Sequence, residues 1–257
     1  MKACAVRELS AGHPTPTGKG LDMSIPDFSR RGSTLVAGLS IFLALALSGS
    51  CALAASRDAL WDTISNCLDS TALNYCRVCG MPRTESACPG RTICEERLEV
   101  WSESSNYIAL RDRKMCGCPD GFVHGLAVPH APVTGVEDPK RPSGIWGFAW
   151  EAARKRIGDD LAIALAVNPA RYRSQDQLHV HIVRLTKDAR QRFAELSPAR
   201  IGSLDQVWSV AREKARADHL DDYGVLVAAH PEGGYLVLID RESTEKKYTE
   251  ATCRKSP

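Results

Sequence analysis

The chain has no internal repeat, no long linker and no low-complexity tract. It also lacks any lysine or arginine block: 33 basic residues against 31 acidic ones leave a formal net charge of +2. Nothing in it provides the electrostatic footprint of a nucleic-acid binder, so no nucleic-acid partner is expected. Its main apolar run, Leu35 to Leu47, is shorter than the roughly 20 residues that span a bilayer. His179 and His181 form the one His-x-His pair, and no histidine is followed four residues later by Asp or Glu. A metal centre built from sequence-local ligands is thereby disfavoured, and neither a metal nor another cofactor is expected.

What the chain does have in excess is cysteine: 10 in 257 residues. Apolar residues at 44% and charged ones at 25% are ordinary for a globular protein of one large domain plus extensions. So many cysteines imply either an oxidising compartment or metal binding. The N-terminal pattern favours the first. Arg30 and Arg31 precede the Leu35–Leu47 run, and Ser48-Gly49-Ser50-Cys51-Ala52-Leu53-Ala54 follows it. A basic flank, a short apolar run and Ala52-x-Ala54 describe a secretory signal peptide, with a retained tilted anchor as the alternative. Cys51 gives a weak lipobox-like feature, Ser29-Arg30-Arg31 hints at a twin-arginine signal, and Met23 is a candidate start. The expected organisation is a polar extension plus signal peptide or membrane anchor over 1–55, then one domain over 56–257 with a Cys-rich insertion at about 67–118. The expected location is exported, either periplasmic or anchored in the inner membrane facing the periplasm.

Within that domain, Leu60, Trp61, Ile64 and Leu68 have helical spacing. Cys67, Cys76, Cys79, Cys88, Cys94, Cys116 and Cys118 then sit among Pro, Gly, Arg and Ser. Cys76-x-x-Cys79 with Cys116-x-Cys118 has the makings of a zinc site. The same residues in an exported protein are more often disulfides, of unknown pairing. Cys253 is placed to pin the C-terminus back. Strands are predicted at 107–111, 122–128, 161–167, 178–185, 223–229 and 235–240, the last two flanking a His230-Pro-Glu-Gly-Gly234 hairpin loop. Helices are predicted from Ile145 through Arg156, from Thr186 as N-cap to about Leu196, and from Leu204 to about His219. Trp146 and Trp150 read as core aromatics, with a nucleobase platform as the alternative, and the tail after Arg241 reads as charged and loose.

The most informative stretch is Arg173-Ser-Gln-Asp-Gln-Leu-His-Val-His-Ile182. In a strand, Leu178, Val180 and Ile182 share one face and Gln177, His179 and His181 the other. Arg184 has the opposite parity to His179. Three readings of the pair stand on the residues alone. They are surface histidines, two ligands of a metal site that still needs a third, or a site of nucleophilic catalysis. A neutral imidazole is a competent nucleophile at neutral pH. Ser174 and Gln175, in the incoming loop, are placed to donate to phosphate oxygens, and Arg173 adds positive charge.

Gln177-Leu-His179-Val-His181-Ile-Val183 resembles the histidine-triad motif, His-φ-His-φ-His-φ-φ, with Gln177 in place of the first histidine. The longer stretch Arg173–Ile182 is similar to the signature of bacterial CDP-diacylglycerol pyrophosphatases. Leu60-Trp61 with Cys67, Val133-Thr-Gly-Val-Glu-Asp-Pro139 after Pro129, Ala149-Trp-Glu-Ala-Ala-Arg154, Ala166-Val-Asn168 and Tyr223-Gly224 agree in order and spacing, so the resemblance covers roughly 58–240. It implies an α+β fold: a HIT-like antiparallel sheet carrying the motif strand, with helices packed on one side, preceded by the signal or anchor segment. It implies hydrolysis of CDP-diacylglycerol to CMP and phosphatidate without a required metal, by an enzyme that meets its lipid at a membrane surface. His179 matches the nucleophile, and His181 the residue that contacts phosphate or assists proton traffic. Gln177, Gln175, Ser174, Arg173, Asn168 and Trp150 are the expected phosphate- or substrate-binding residues. Two other readings stay open: a histidine-triad hydrolase of soluble nucleotides, and a non-catalytic, disulfide-rich envelope module that binds nucleotide or metal.

Overall fold

The computed structural model describes residues 56–254. The signal or anchor segment, Cys51 and Met23 lie outside the described residues. Among these, an eight-stranded antiparallel sheet has the order β1-β2-β3-β5-β4-β7-β8-β6. Its strands are β1 (Val100–Glu103), β2 (Tyr107–Arg111), β3 (His124–Pro129), β4 (Ile163–Val167), β5 (Val180–Arg184), β6 (Ala199–Ile201), β7 (Gly224–Ala229) and β8 (Tyr235–Asp240). The helices are α1 (Ala59–Cys67), α2 (Tyr75–Val78), α3 (Ile145–Ile157), α4 (Ala189–Phe193), α5 (Val207–Ala217) and α6 (Thr244–Tyr248). The fold is α+β with an antiparallel sheet, as expected, but helices cover both faces of the sheet and not one.

Strand alternation sorts the core into two faces. On one face, Ala109, Ala127, Leu165, Val180, Ile182, Val225, Val227, Val237 and Ile239 pack under α3 and α5. These two long helices bury stripes at helical spacing: Trp146, Ala149, Trp150, Ala153 and Ile157 from α3, and Val207, Trp208, Ala211 and Ala215 from α5. Trp146 and Trp208 meet edge to face at 4.8 Å. Gly158, at φ +74°, ends α3 in the left-handed conformation. Arg184 bonds Ile157 O on this face, in line with its parity.

The opposite face carries two separate apolar clusters. Ile64, Cys67, Tyr75, Ile108, Leu110 and Val128 form one, beneath α1 and α2. Ala164, Val183, Phe193, Leu226, Leu238 and Tyr248 form the other, beneath α4 and α6. β3 pairs with β5, and β5 with β4, so the seam between the clusters is where the histidine strand runs.

Several local expectations are corrected. Ladder pairing of β5 starts at Val180, because Leu178 N is already bonded to Val133 O at 2.6 Å and Gln177 bridges Thr134. Thr186 does not cap α4, which starts after Asp188; its hydroxyl reaches Tyr248 O instead. The tail after Arg241 is not loose: it forms α6, pairs Leu185 with Thr249, and ends in a disulfide. The cysteines pair as Cys67–Cys79, Cys76–Cys88, Cys94–Cys116 and Cys118–Cys253. Every sulfur of the suggested zinc set is thereby spent in a disulfide. The Cys-rich interval is continuous with the main sheet, since it contributes the edge strand β1 and its neighbour β2.

Candidate active site

His179 lies one residue before β5 and His181 within it, on the face of the two separated clusters. Their rings meet edge to face at 4.8 Å. The Nδ1 atom of His179 lies 2.7 Å from the carbonyl oxygen of Gln177. A carbonyl oxygen only accepts, so Nδ1 carries the proton and Nε2 keeps its lone pair. Burial pushes the pKa of His179 below the ordinary 6.5, against the opposing pull of the Gln177 carbonyl. The ring is therefore neutral near pH 7, the state a nitrogen nucleophile needs.

The sheet adds a third histidine. His124 opens β3 and pairs with Val183, which sets it diagonal to His181, their ring centroids 5.4 Å apart. His124 is fully buried. Its Nε2 lies 2.9 Å from Glu245 Oε1, and its Nδ1 lies at ion-pair distance, 3.2 Å, from Asp112. Glu245, on α6, is itself 3% exposed. Its Oε1 also accepts from Lys114 Nζ at 2.5 Å, while its Oε2 accepts from Asn168 Nδ2 at 2.7 Å and faces His181 Nε2 at 3.3 Å.

The buried groups of this network shift one another. Burial pulls the His124 pKa down, but Asp112 and Glu245 outweigh it and leave it raised. Burial raises Asp112, yet His124 and Lys114 bring it down to about 2. Burial likewise opposes the Glu245 carboxylate, which His181, His124 and Lys114 hold well below the usual carboxylate range. The carboxylates of Asp112 and Glu245 at the two nitrogens of His124 favour its protonated form, beside the Lys114 amine. His181, desolvated, is pushed well below 6.5 and stays neutral despite Glu245.

His124, His181 and Glu245 have donor types suited to a metal, with candidate atoms within 4.8 Å of one another. The fit fails on the chemistry around them. The Lys114 ammonium sits 2.5 Å from Glu245 Oε1 and 3.4 Å from His124 Nε2, so a resident cation already fills the place of an ion.

The structure places the predicted site residues unequally. His179, His181 and Asn168 come together. Gln177 is buried and its amide is fully used: Nε2 donates to Pro129 O and Ala131 O, and Oε1 accepts from Val133 N. It holds the 129–133 loop against the strand instead of facing a phosphate. Arg173 is committed to Glu137, and a Cβ at Gly135 would collide with its guanidinium. Gln175 accepts from Leu60 N at 2.7 Å and donates to Ser56 O, tying down α1. Ser174 is exposed. Trp150 lies on the α3 face, 5.0 Å from the Tyr235 ring, across the sheet from the histidines. A surface cleft lined by Phe122, Thr186, Lys246, Glu250 and Arg254 lies beside α6, and none of the three histidines lines it. His124, Glu245, Asp112 and Lys114 are the residues that sequence reasoning missed.

The model of the CDP-diacylglycerol pyrophosphatase family matches residues 55–211, more than half of the chain. The chain belongs to that family. A CDP-diacylglycerol pyrophosphatase of Yersinia pestis is 26% identical over 175 residues, covering 54% of this chain and 66% of that protein. The chain thus spans just under two thirds of the length of this relative. The family match takes in His124, Asn168 and the histidine pair, and ends before β7, β8 and α6.

Proposed function

We propose that this family member hydrolyses CDP-diacylglycerol to CMP and phosphatidate through a cytidylyl-His179 intermediate. The observation that carries this reading is the Nδ1–H bond from His179 to Gln177 O, which leaves Nε2 with its lone pair in a buried, neutral ring. In the first step Nε2 attacks the phosphorus of the cytidylyl group. The P–O bond to phosphatidate breaks, and phosphatidate leaves as a phosphate monoester, a leaving group good enough to need no strong general acid. In the second step water attacks the same phosphorus, the P–N bond breaks, and CMP departs. His181 receives the proton of the attacking water and passes it to solvent. Ser174, exposed in the loop before the strand, is proposed as a phosphate donor.

The setting is part of the same proposal. Four disulfides are stable in an oxidising compartment, which supports an exported enzyme meeting a diacyl lipid at a membrane surface. No helix among the described residues is long and apolar enough to cross a membrane.

Mass spectrometry of protein quenched during turnover tests the chemistry. A CMP-sized adduct on His179 is expected, and His179→Ala should lose both adduct and turnover. An adduct on another residue, or undiminished activity in His179→Ala, would overturn the assignment. Faster turnover of soluble dinucleoside polyphosphates than of CDP-diacylglycerol in vesicles would transfer the site to a different substrate class.

A further inference from the structure

We propose that Asn168 is a positioning residue of this site: its amide fixes His181 with the ring proton on Nδ1, and that N–H is the donor a phosphoryl oxygen of the substrate meets. The inference deepens the reaction proposed above and rests on that reading.

The contacts of α6 decide which way round the Asn168 amide sits. Oδ1 lies 3.3 Å from the backbone nitrogen of Glu245 and 2.8 Å from the Ser243 hydroxyl. A backbone N–H can only donate, so Oδ1 accepts. Nδ2 lies 2.7 Å from Glu245 Oε2. A carboxylate can only accept, so Nδ2 donates. Turned the other way, the amide would set its NH₂ against the Glu245 N–H and its oxygen against the Glu245 carboxylate. One orientation is left.

The same Nδ2 faces His181 Nε2 at 3.4 Å. An amide nitrogen carries two hydrogens. One serves the Glu245 carboxylate, and the other is directed to the ring. A ring nitrogen opposite a donor has to accept. His181 Nε2 therefore keeps its lone pair, and the proton of the neutral ring is on Nδ1.

His181 Nδ1 is buried and has no hydrogen-bond partner among the described residues. A buried N–H without an acceptor is costly and calls for an explanation. The substrate supplies one, because the His181 ring lies 4.8 Å from the ring of the proposed nucleophile. A donor already fixed beside the reacting phosphorus stabilises the charge that builds on its oxygens as the P–O bond to phosphatidate breaks. In the second step the Nε2 lone pair takes the proton of the attacking water. The imidazolium so formed has Glu245 Oε2 beside it, at 3.3 Å.

The fold builds this contact from two directions. Ala166 pairs with His181 between β4 and β5, and Asn168, two residues on, keeps the parity of Ala166. The Asn168 side chain thus lies on the histidine face, where it is buried. From the other side, Ser243 caps α6 through Lys246 N, and the Thr244 hydroxyl reaches Val167 O and Val225 O. A five-residue polar helix is thereby fixed against β4 and β7, with Glu245 turned to Asn168.

Ring ¹⁵N spectra of histidine-labelled wild-type protein provide the test, with the His181 signals assigned by their loss in His181→Gln. The expected result is one tautomer for His181, protonated at Nδ1. Saturating CMP, whose phosphate supplies an acceptor, should move the signal of that Nδ1 proton. In Asn168→Asp, which sets an oxygen opposite Nε2, the preference for Nδ1 should be lost. Its kcat should fall by about 10²-fold or more, with KM changed by less than about threefold. A wild-type spectrum showing His181 protonated at Nε2 overturns the proposal. So does a Nδ1 proton signal that CMP leaves in place, or a folded Asn168→Asp variant with wild-type kcat. If the variant does not fold, the wild-type spectra without and with CMP decide alone. A wild-type protein inactive on CDP-diacylglycerol vesicles would sink the reaction proposed above, and the spectra would still decide the tautomer and its phosphate contact.

Discussion

Gln177 shows how one side chain can hold a site without touching its chemistry. The backbone carbonyl of this residue orients His179, while its side-chain amide satisfies three backbone groups of the 129–133 loop. Gln177→Ala leaves those groups unpaired and should cost about 1–3 kcal/mol in urea unfolding. The buried titratable groups predict a pH dependence as well. His179 and His181 have folded-state pKa values below 6.5. The unfolded chain therefore takes up more protons as pH falls below about 6.5, and stability drops there. His124 has the opposite sign: its pKa is raised, so its contribution is present below about 6.5 and fades as pH rises through its folded value. Asp112, lowered from 3.8 to about 2, adds stability above the higher value that is lost as pH falls through the lower. Calorimetry across pH should thus find the highest Tm near neutrality. Asp112→Asn should flatten the loss between about pH 4 and pH 2; an unchanged acid limb would contradict this account.

Among the elements, β2 and β8 were legible to the residue, because alternation and β-branched or aromatic content agree over their whole length. The long helix α3 was equally plain from its tryptophan spacing. What escaped were elements with no pattern of their own. β1 and β6, at four and three residues, are too short to show a period. α6 is Thr-Glu-Lys-Lys-Tyr, with no apolar stripe; hydrogen bonds to distant strands bury it. His124 escaped for a related reason. Its partner Val183 is far off in sequence, and only strand pairing brings β3 beside β5. Cys253 was the one sign that the tail is held. Ser243→Ala should cost about 1 kcal/mol by removing the α6 cap, and should lower turnover more than that loss of stability explains. A variant with unchanged turnover would show that α6 tolerates the loss.

For the whole molecule, the disulfides matter more as a set of anchors than as a count. Three of them close loops of 12, 12 and 22 residues near the β1–β2 edge. The fourth joins Cys118 to Cys253 across 135 residues. It ties the segment carrying Lys114 to the tail that follows Glu245, so the two ends of one ion pair are also linked covalently. Replacing Cys118 and Cys253 together by serine should cost about 2–4 kcal/mol and depress activity more than the corresponding change at Cys94 and Cys116. Equal effects from the two pairs would argue that the long crosslink only stabilises. That cysteines would pair was legible from their number and the N-terminal pattern. Which would pair was not, because the sequence carries no distance information between Cys118 and Cys253.

The place of Glu245 after the histidines in chain order has a consequence for timing. Translation produces His124, then the histidine pair, and only then the carboxylate that joins them. A nascent chain thus holds its proposed nucleophile well before it holds the group that organises it. The helix that carries Glu245 lies just ahead of Cys253, whose crosslink forms only after oxidation. The complete site would then be assembled only once Glu245 has been made and the thiols have been oxidised. A reduced precursor would hold its histidine pair without the crosslink that ties down the segment after α6.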